Sequence, residues 1–193
     1  MLGLLPMLPA RAKHAGVSRP VVRAPVRPSE RWLYRRGVLQ LAALAAALQR
    51  AGVNQGIRRA ADAYDAGQLL SESRQGMLDL VAAIVLARDG LRALRDKTST
   101  PSPPCFVNPL HGPCRYVIGR YNFHLHQPPS HNRVPACAAC ARRHFVDSRV
   151  LWVPDDGGRF RPYFMIVGFW TRTGFGAFEP DFPRRVLAHL GVD

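Results

Sequence analysis

The four cysteines of this sequence are the residues best suited to chemistry, and all of them fall within residues 105–140. Cys137 and Cys140 form a C-x2-C pair in "NRVPACAACARRH", and Cys105 and Cys114 bound the segment "CFVNPLHGPC". A C-x2-C pair supplies two thiolates from one short turn, and structural Zn²⁺ takes four soft or borderline ligands in a tetrahedron. The sequence therefore predicts a structural zinc site, with Cys137 and Cys140 as half of it.

The other half of the site has three candidate ligands. Cys105 and Cys114 are the direct candidates, although the eight residues between them make a looser spacing than the usual zinc knuckle. His111 lies between these cysteines and could replace Cys114. The residue types and spacing leave this choice open.

Disulfides, a redox pair and free buried thiols are the alternatives to zinc. Disulfides need an oxidising compartment, and no secretory signal is visible, so we expect a cytoplasmic location. A redox C-x-x-C is typical of a strand–motif–helix unit of the thioredoxin kind, which the flanking sequence does not suggest. Zinc remains the preferred interpretation of the cysteines.

The charge of the chain favours an anionic partner. Lys and Arg total 27 against 13 Asp and Glu, which gives a net charge of +14. No acidic residue lies between Asp96 and Asp147. Five arginines in this window are predicted to bind a polyanion such as nucleic acid: Arg115, Arg120, Arg133, Arg142 and Arg143. Aromatic residues alternate with these arginines, as stacking-plus-phosphate surfaces require. A protein partner, or a charge that reflects genome composition alone, stays open.

An HNH-like nuclease is an alternative function. "HLHQPPSHN" followed by C-x2-C resembles that family's order of histidine, asparagine and cysteine pair. Under this hypothesis His124 or His126 activates water and Asn132 orients it, while a divalent cation stabilises the phosphate. The absence of a nearby carboxylate in the sequence counts against it.

The chain divides into four regions. Residues 1–29 form a basic arm, predicted to be disordered, with five cations and no acid. Residues 30–97 are helical, residues 98–104 ("TSTPSPP") are a linker, and residues 105–193 form an α+β region rich in Cys and His. The predicted fold class is therefore α+β: a helical bundle or hairpin followed by a small zinc-stapled domain of β-hairpin and helix.

Three helices are predicted in residues 30–97. The first begins after the cap candidate Ser29 and turns Leu33, Leu41, Leu44 and Leu48 inward. The apolar residues predicted to face inward in the other two are these: Ile57, Ala61, Tyr64 and Leu69 in the second, and Leu78, Val81, Val85 and Leu91 in the third. A surface-lying first helix would make the chain a peripheral membrane protein, which is a further alternative.

Short elements are predicted after the linker. "ACARRHF" predicts a helix that starts near Cys140 and carries Arg142 and Arg143. "DDGG" between two apolar runs predicts a β-hairpin, and Pro183 marks the start of a last helix. None of these patterns indicates a catalytic constellation, so the preferred function is a non-enzymatic, zinc-stabilised binding module.

Three motifs resemble a known pattern. "CFVNPLHGP", "RVPACAACAR" and "WTRTGFGA" are similar to a segment of uncharacterised actinobacterial proteins, some of which carry TPM domains, and the resemblance covers roughly residues 58 to 193. It places Cys105, His111 and Cys137 in the recognisable motifs, and it places Cys114 where small residues are usual. The resemblance therefore favours His111 over Cys114 as a ligand, and it implies no settled activity.

Overall fold

The fold is α+β, as predicted: a three-helix bundle is followed by two small antiparallel β-ribbons and three short helices. The computed structural model describes residues 24–73, 76–125 and 129–192. The bundle helices are α1 (Glu30–Arg50), α2 (Ile57–Ser73) and α3 (Met77–Asp96). Each of them packs against the other two, which selects the bundle over the hairpin with an arm.

Helix α1 begins and packs as its sequence predicts. The Ser29 side chain accepts a hydrogen bond from the backbone N–H of Trp32 at 3.2 Å, which is the geometry of a helix N-cap. Leu33, Leu41 and Leu44 are buried in the bundle. The apolar stripe of α1 is therefore used in the protein core.

Helix α2 buries a different face from the predicted one. Its buried residues are Ala60, Ala63, Ala66, Gly67 and Leu70. The predicted inward residues Ala61 and Tyr64 are only half-buried, and Leu69 is exposed. Small residues face inward because the helices lie close together: a Cβ at position 67 would lie 2.7 Å from Leu41 Cδ2.

Helix α3 lies at the centre of the protein. Every residue from Leu80 to Ala87 is buried, so the helix has no solvent-facing side along this stretch. A helix that is apolar all round is covered on all sides. The bundle covers part of α3, and the region after residue 104 covers the rest, since both contribute to one continuous buried cluster.

The turn before α2 packs directly on the end of α3, and this contact gives a test of the bundle. A Cβ at Gly56 would lie 2.0 Å from the carbonyl oxygen of Ala93. We expect Gly56→Ala to lower the free energy of unfolding by at least about 1–3 kcal/mol, because backbone would have to move. Gly52→Ala is the matched control, since its Cβ would meet nothing within 4 Å. Equal melting temperatures for the two variants would contradict the packing.

Two β-ribbons carry the second half of the chain. Strand β1 (Tyr116–Gly119) pairs antiparallel with β2 (Arg133–Ala136), with Tyr116 opposite Ala136. Strand β3 (Trp152–Pro154) pairs with β4 (Phe160–Pro162), which confirms the predicted hairpin. Its turn is held by the Asp155 carboxylate, which accepts hydrogen bonds from the N–H groups of Gly157 and Arg159.

Three short helices complete the fold. They are α4 (Ala138–Ala141), α5 (Phe169–Thr173) and α6 (Phe182–His189). Pro183 lies in the first turn of α6, as predicted. Helix α4 is shorter than predicted and ends before Arg142, which is its C-cap, so Arg142 and Arg143 are not on the helix that holds Cys140.

The segments on either side of the bundle are tied to neighbouring structure. Most of the predicted basic arm, residues 1–23, lies outside the described residues, but the Val26 carbonyl accepts a hydrogen bond from Trp152 N at 2.8 Å. In the predicted linker, the Pro103 carbonyl accepts from Cys114 N at 2.9 Å. Arg59 of α2 donates to the carbonyls of Ser99 and Pro180. These bonds join the bundle to the region that carries the cysteines.

Candidate metal centre

Three segments bring four potential metal ligands together. Cys105 follows the predicted linker, His111 lies in the loop "NPLHG", and Cys137 and Cys140 follow β2. One ligand atom from each of these four residues lies within 4.8 Å of all the others. All three cysteines are buried and His111 is half-buried. The group could hold a metal ion.

The loop that carries His111 is fixed by the side chain of Asn108. Asn108 is fully buried; its Oδ1 accepts from Leu110 N at 3.0 Å and its Nδ2 donates to the Pro25 carbonyl at 3.0 Å. Arg88 of α3 donates to the Leu110 carbonyl at 2.6 Å. The loop that carries His111 is therefore held in place by the Asn108 side chain and by Arg88 of the bundle.

The distances within the cluster suit a four-coordinate ion. His111 Nδ1 lies 3.4 Å from Cys140 Sγ and 3.7 Å from Cys137 Sγ. The backbone N–H of Cys137 donates to Cys105 Sγ at 3.4 Å. Ligands about 2.3 Å from a tetrahedral zinc are about 3.8 Å apart, so little rearrangement is needed to accept the ion. An N–H directed at a ligating sulfur is a usual outer contact of such sites.

Cys114 lies beside this group and is not part of it. It is buried, and its thiol hydrogen-bonds to the sulfur of Cys105. Of the five predicted metal ligands the structure thus brings four close together, and His111 rather than Cys114 is in that group. Cys114 is placed to support Cys105.

The pKa values of Cys105 and His111 reflect the sulfur atoms that surround them. Hydrogen bonds from the thiols of Cys114, Cys137 and Cys140 hold the pKa of Cys105 well below that of an ordinary cysteine. Burial lowers the pKa of His111, but hydrogen bonds to Cys105 and Cys137 outweigh burial and raise that pKa to about 9. A cation that binds here displaces this proton, so metal binding is expected to weaken as the solution is acidified.

The residues of the nuclease hypothesis are not assembled around a metal position among the described residues. His126 lies outside them. The ring of His124 packs on Phe145, with ring centroids 3.5 Å apart, and its backbone N–H donates to the Asp147 carboxylate. His124 belongs to no group of potential His, Cys, Asp or Glu metal ligands within the described ranges, and Asn132 is exposed.

The five arginines predicted to bind a polyanion lie around the β1–β2 ribbon and the C-x2-C turn. Arg115, Arg133, Arg142 and Arg143 are exposed, and Arg120 is half-buried. Arg133 stands opposite Gly119 at one end of the ribbon, and Arg115 directly precedes the other end. Strand spacing separates these two positions by about 13 Å.

Comparisons with protein-family models, with curated proteins and with solved structures found no match to this chain. The resemblance to actinobacterial proteins stays a prediction. The function is therefore argued from the geometry of the site and of the surface around it.

Two observations on the helices bear on the membrane alternative. None of those in the described part of the chain combines the length and the apolar character that crossing a membrane requires. The apolar stripe of α1, which the peripheral-membrane alternative would place against lipid, is buried in the bundle at Leu33, Leu41 and Leu44.

Proposed function

We propose that this chain is a zinc-stabilised, non-enzymatic module that binds nucleic acid. The observation that carries the proposal is the group of three cysteines and one histidine whose ligand atoms lie within 4.8 Å of one another. Three sulfur ligands and one imidazole favour zinc over the harder divalent cations. The protein fills all four positions, whereas catalytic zinc sites leave one open for water or substrate.

Exposed aromatic residues beside arginines support nucleic acid as the partner. Tyr116 is 51% exposed and Tyr121 is 87% exposed, and both lie on or next to the β1–β2 ribbon. We call the side of the ribbon that carries Arg133 and Tyr121, flanked by Arg115 and Arg120, the ribbon face; Tyr116 points to the other side, because side chains alternate along a strand. Exposed aromatic rings next to arginines are the combination on which single-stranded nucleic acid stacks and pairs its phosphates. Phe123, by contrast, is buried, so it belongs to the core.

The ribbon face suits a single strand better than a duplex. Aromatic rings stack on unpaired bases, and the arginines between them neutralise the backbone phosphates. A two-stranded ribbon of four residues per strand offers little for reading base edges. We therefore expect binding with slight sequence preference.

Metal analysis tests the first part of the proposal. Protein purified without added metal is expected to contain about one zinc ion per chain, since one group of four ligands is present. Inductively coupled plasma mass spectrometry measures this content. The proposed site would be contradicted if zinc, iron and all other transition metals together amounted to clearly less than one ion per chain.

Titration with a single-stranded oligonucleotide tests the second part. Affinity is expected to fall steeply between about 50 mM and about 200 mM salt, because binding releases counterions. Tyr121→Ala should weaken binding by about 1–3 kcal/mol, the usual contribution of one stacked base. Arg185→Gln is the control, since Arg185 is an exposed arginine on α6, which packs against α2.

Fluorescence anisotropy with a labelled oligonucleotide gives both quantities. A loss in Arg185→Gln with no loss in Tyr121→Ala would mean that net charge alone attracts the strand. Absence of binding at low salt would remove nucleic acid as the partner and leave a protein-binding module.

A further inference from the structure

A cleft lined by arginines lies beside the candidate metal centre, and we infer that it binds a small organic phosphate. The cleft has a volume of about 890 Å³ and lies between α3, the C-x2-C turn and residues 24–26. We call it the arginine cleft. It is a different surface from the ribbon face, so the inference goes beyond the proposed function.

Five arginines converge on the arginine cleft. Arg88, Arg92 and Arg95 line it from α3, where spacings of four and three residues put them on one face of the helix. Arg143 and Arg149 line it from the other side. No Asp or Glu lines the cleft within the described ranges, so its lining is strongly cationic.

Arg92 has an unused hydrogen-bond donor at this position. Its residue surface is only 7% exposed, and its Nε has no hydrogen-bond partner among the described residues. Its Nη2 makes a long contact of 3.4 Å with Asp89, which also pairs with Arg59 at 2.7 Å. A buried donor without an acceptor costs about 1–3 kcal/mol, so the charge of Arg92 is incompletely compensated within the protein.

Arg88 shows the same excess of positive charge. Burial, together with repulsion from Arg36 and Arg92, lowers the pKa of Arg88 to about 10. Its side chain donates a hydrogen bond to the neutral carbonyl of Leu110, which does not compensate its charge. Arg95 pairs with Asp96 and Arg92 makes its long contact with Asp89, so the five cleft arginines meet two carboxylates and keep an excess of positive charge suited to the several oxygens of a phosphate.

The size and the remaining lining of the cleft favour a small molecule over a nucleic-acid strand. Ligand sites in proteins are concave and measure about 300–1,000 Å³, and this cleft falls within that range. Val26, Leu91 and Leu110 supply an apolar wall beside the arginines. A ligand with a charged phosphate end and an apolar or aromatic body, as in a nucleotide, matches both parts.

Isothermal titration calorimetry of the metal-loaded protein tests the inference. The probes are ADP, adenosine as its phosphate-free counterpart, and inorganic pyrophosphate as the phosphate part alone. We expect ADP and pyrophosphate to bind with 1:1 stoichiometry and adenosine to give no heat, because the arginines recognise phosphate. Arg143→Gln should weaken ADP binding about 10-fold, which corresponds to ~1.4 kcal/mol. Zinc content measured after each titration shows that the ligand has not extracted the metal.

Arg142→Gln is the matched control. Arg142 is also exposed and is adjacent in sequence, but it does not line the cleft, so its replacement should change ADP affinity less than about 2-fold. Equal losses in Arg142→Gln and Arg143→Gln would overturn the inference in favour of diffuse charge attraction. So would the absence of binding by both ADP and pyrophosphate at millimolar concentration.

Variants separate this inference from the proposed function. Tyr121→Ala is expected to impair oligonucleotide binding and to leave ADP binding intact, whereas Arg92→Gln should impair ADP binding. Arg92→Lys keeps the charge without the guanidinium donors, so partial recovery is expected in that variant. Oligonucleotide binding without ADP binding would contradict the phosphate site inferred in the arginine cleft. It would leave the proposed nucleic-acid site on the ribbon face unaffected.

Discussion

Replacing Cys140 with serine is expected to abolish stoichiometric metal binding and to lower the melting temperature sharply. Cys140 is fully buried, and its sulfur is 3.4 Å from His111 Nδ1 at the centre of the cluster. Loss of a structural metal is among the few single changes that cost more than about 4 kcal/mol. In a chain of this size that loss corresponds to a decrease of roughly 8–16 °C in melting temperature.

Circular dichroism melts and metal analysis on the same preparations measure both effects. Ala139→Ser is the matched control, because Ala139 is exposed between the two cysteines and is not a ligand. Its melting temperature and metal content should match those of the unaltered protein. A Cys140→Ser variant with full metal content would contradict the assignment of this ligand.

His111→Ala and Cys114→Ala are expected to separate a ligand from a supporting residue. His111 is in the group of four ligands, so its loss should reduce metal affinity by more than about 100-fold. Cys114 lies outside this group, beside Cys105, and removal of such an outer partner costs about 10–100-fold. Competition with a chromogenic zinc chelator measures the two affinities.

His111→Cys gives a second readout. A thiolate is an equally good zinc ligand, so this variant should regain most of the affinity that His111→Ala loses. A purely structural role of the histidine ring would not be rescued by cysteine. If Cys114→Ala loses the metal while His111→Ala retains it, the fourth ligand is Cys114.

The bundle could be predicted from the sequence, apart from the exact faces of its helices. The Ser29 cap and the leucine spacing of α1 follow from local rules, and both are found in the structure. The inward face of α2 does not follow from hydrophobicity, because its alanines and Gly67 face inward where the helices approach closely. Close approach depends on the partner helix, and a sequence pattern does not contain that information.

The metal ligands could be predicted only as a set of candidates. Spacing identifies the C-x2-C pair, but the choice between His111 and Cys114 depends on how Asn108 holds its loop against Pro25. That bond joins residues 83 apart in sequence. The cationic cleft was missed for a similar reason, although the spacing of Arg88, Arg92 and Arg95 on one helix face was a readable signal.

The burial of α3 on all sides from Leu80 to Ala87 has a consequence for how the protein is made. The helix leaves the ribosome before the cysteine-rich region that covers part of it, because that region follows residue 104 in the chain. At about 5–20 residues per second, synthesis exposes the uncovered apolar side of α3 for some seconds. During this interval the nascent chain exposes apolar surface of α3 that the region after residue 104 has not yet covered. Conditions that keep this apolar surface from aggregating during synthesis are therefore expected to raise the yield of folded protein.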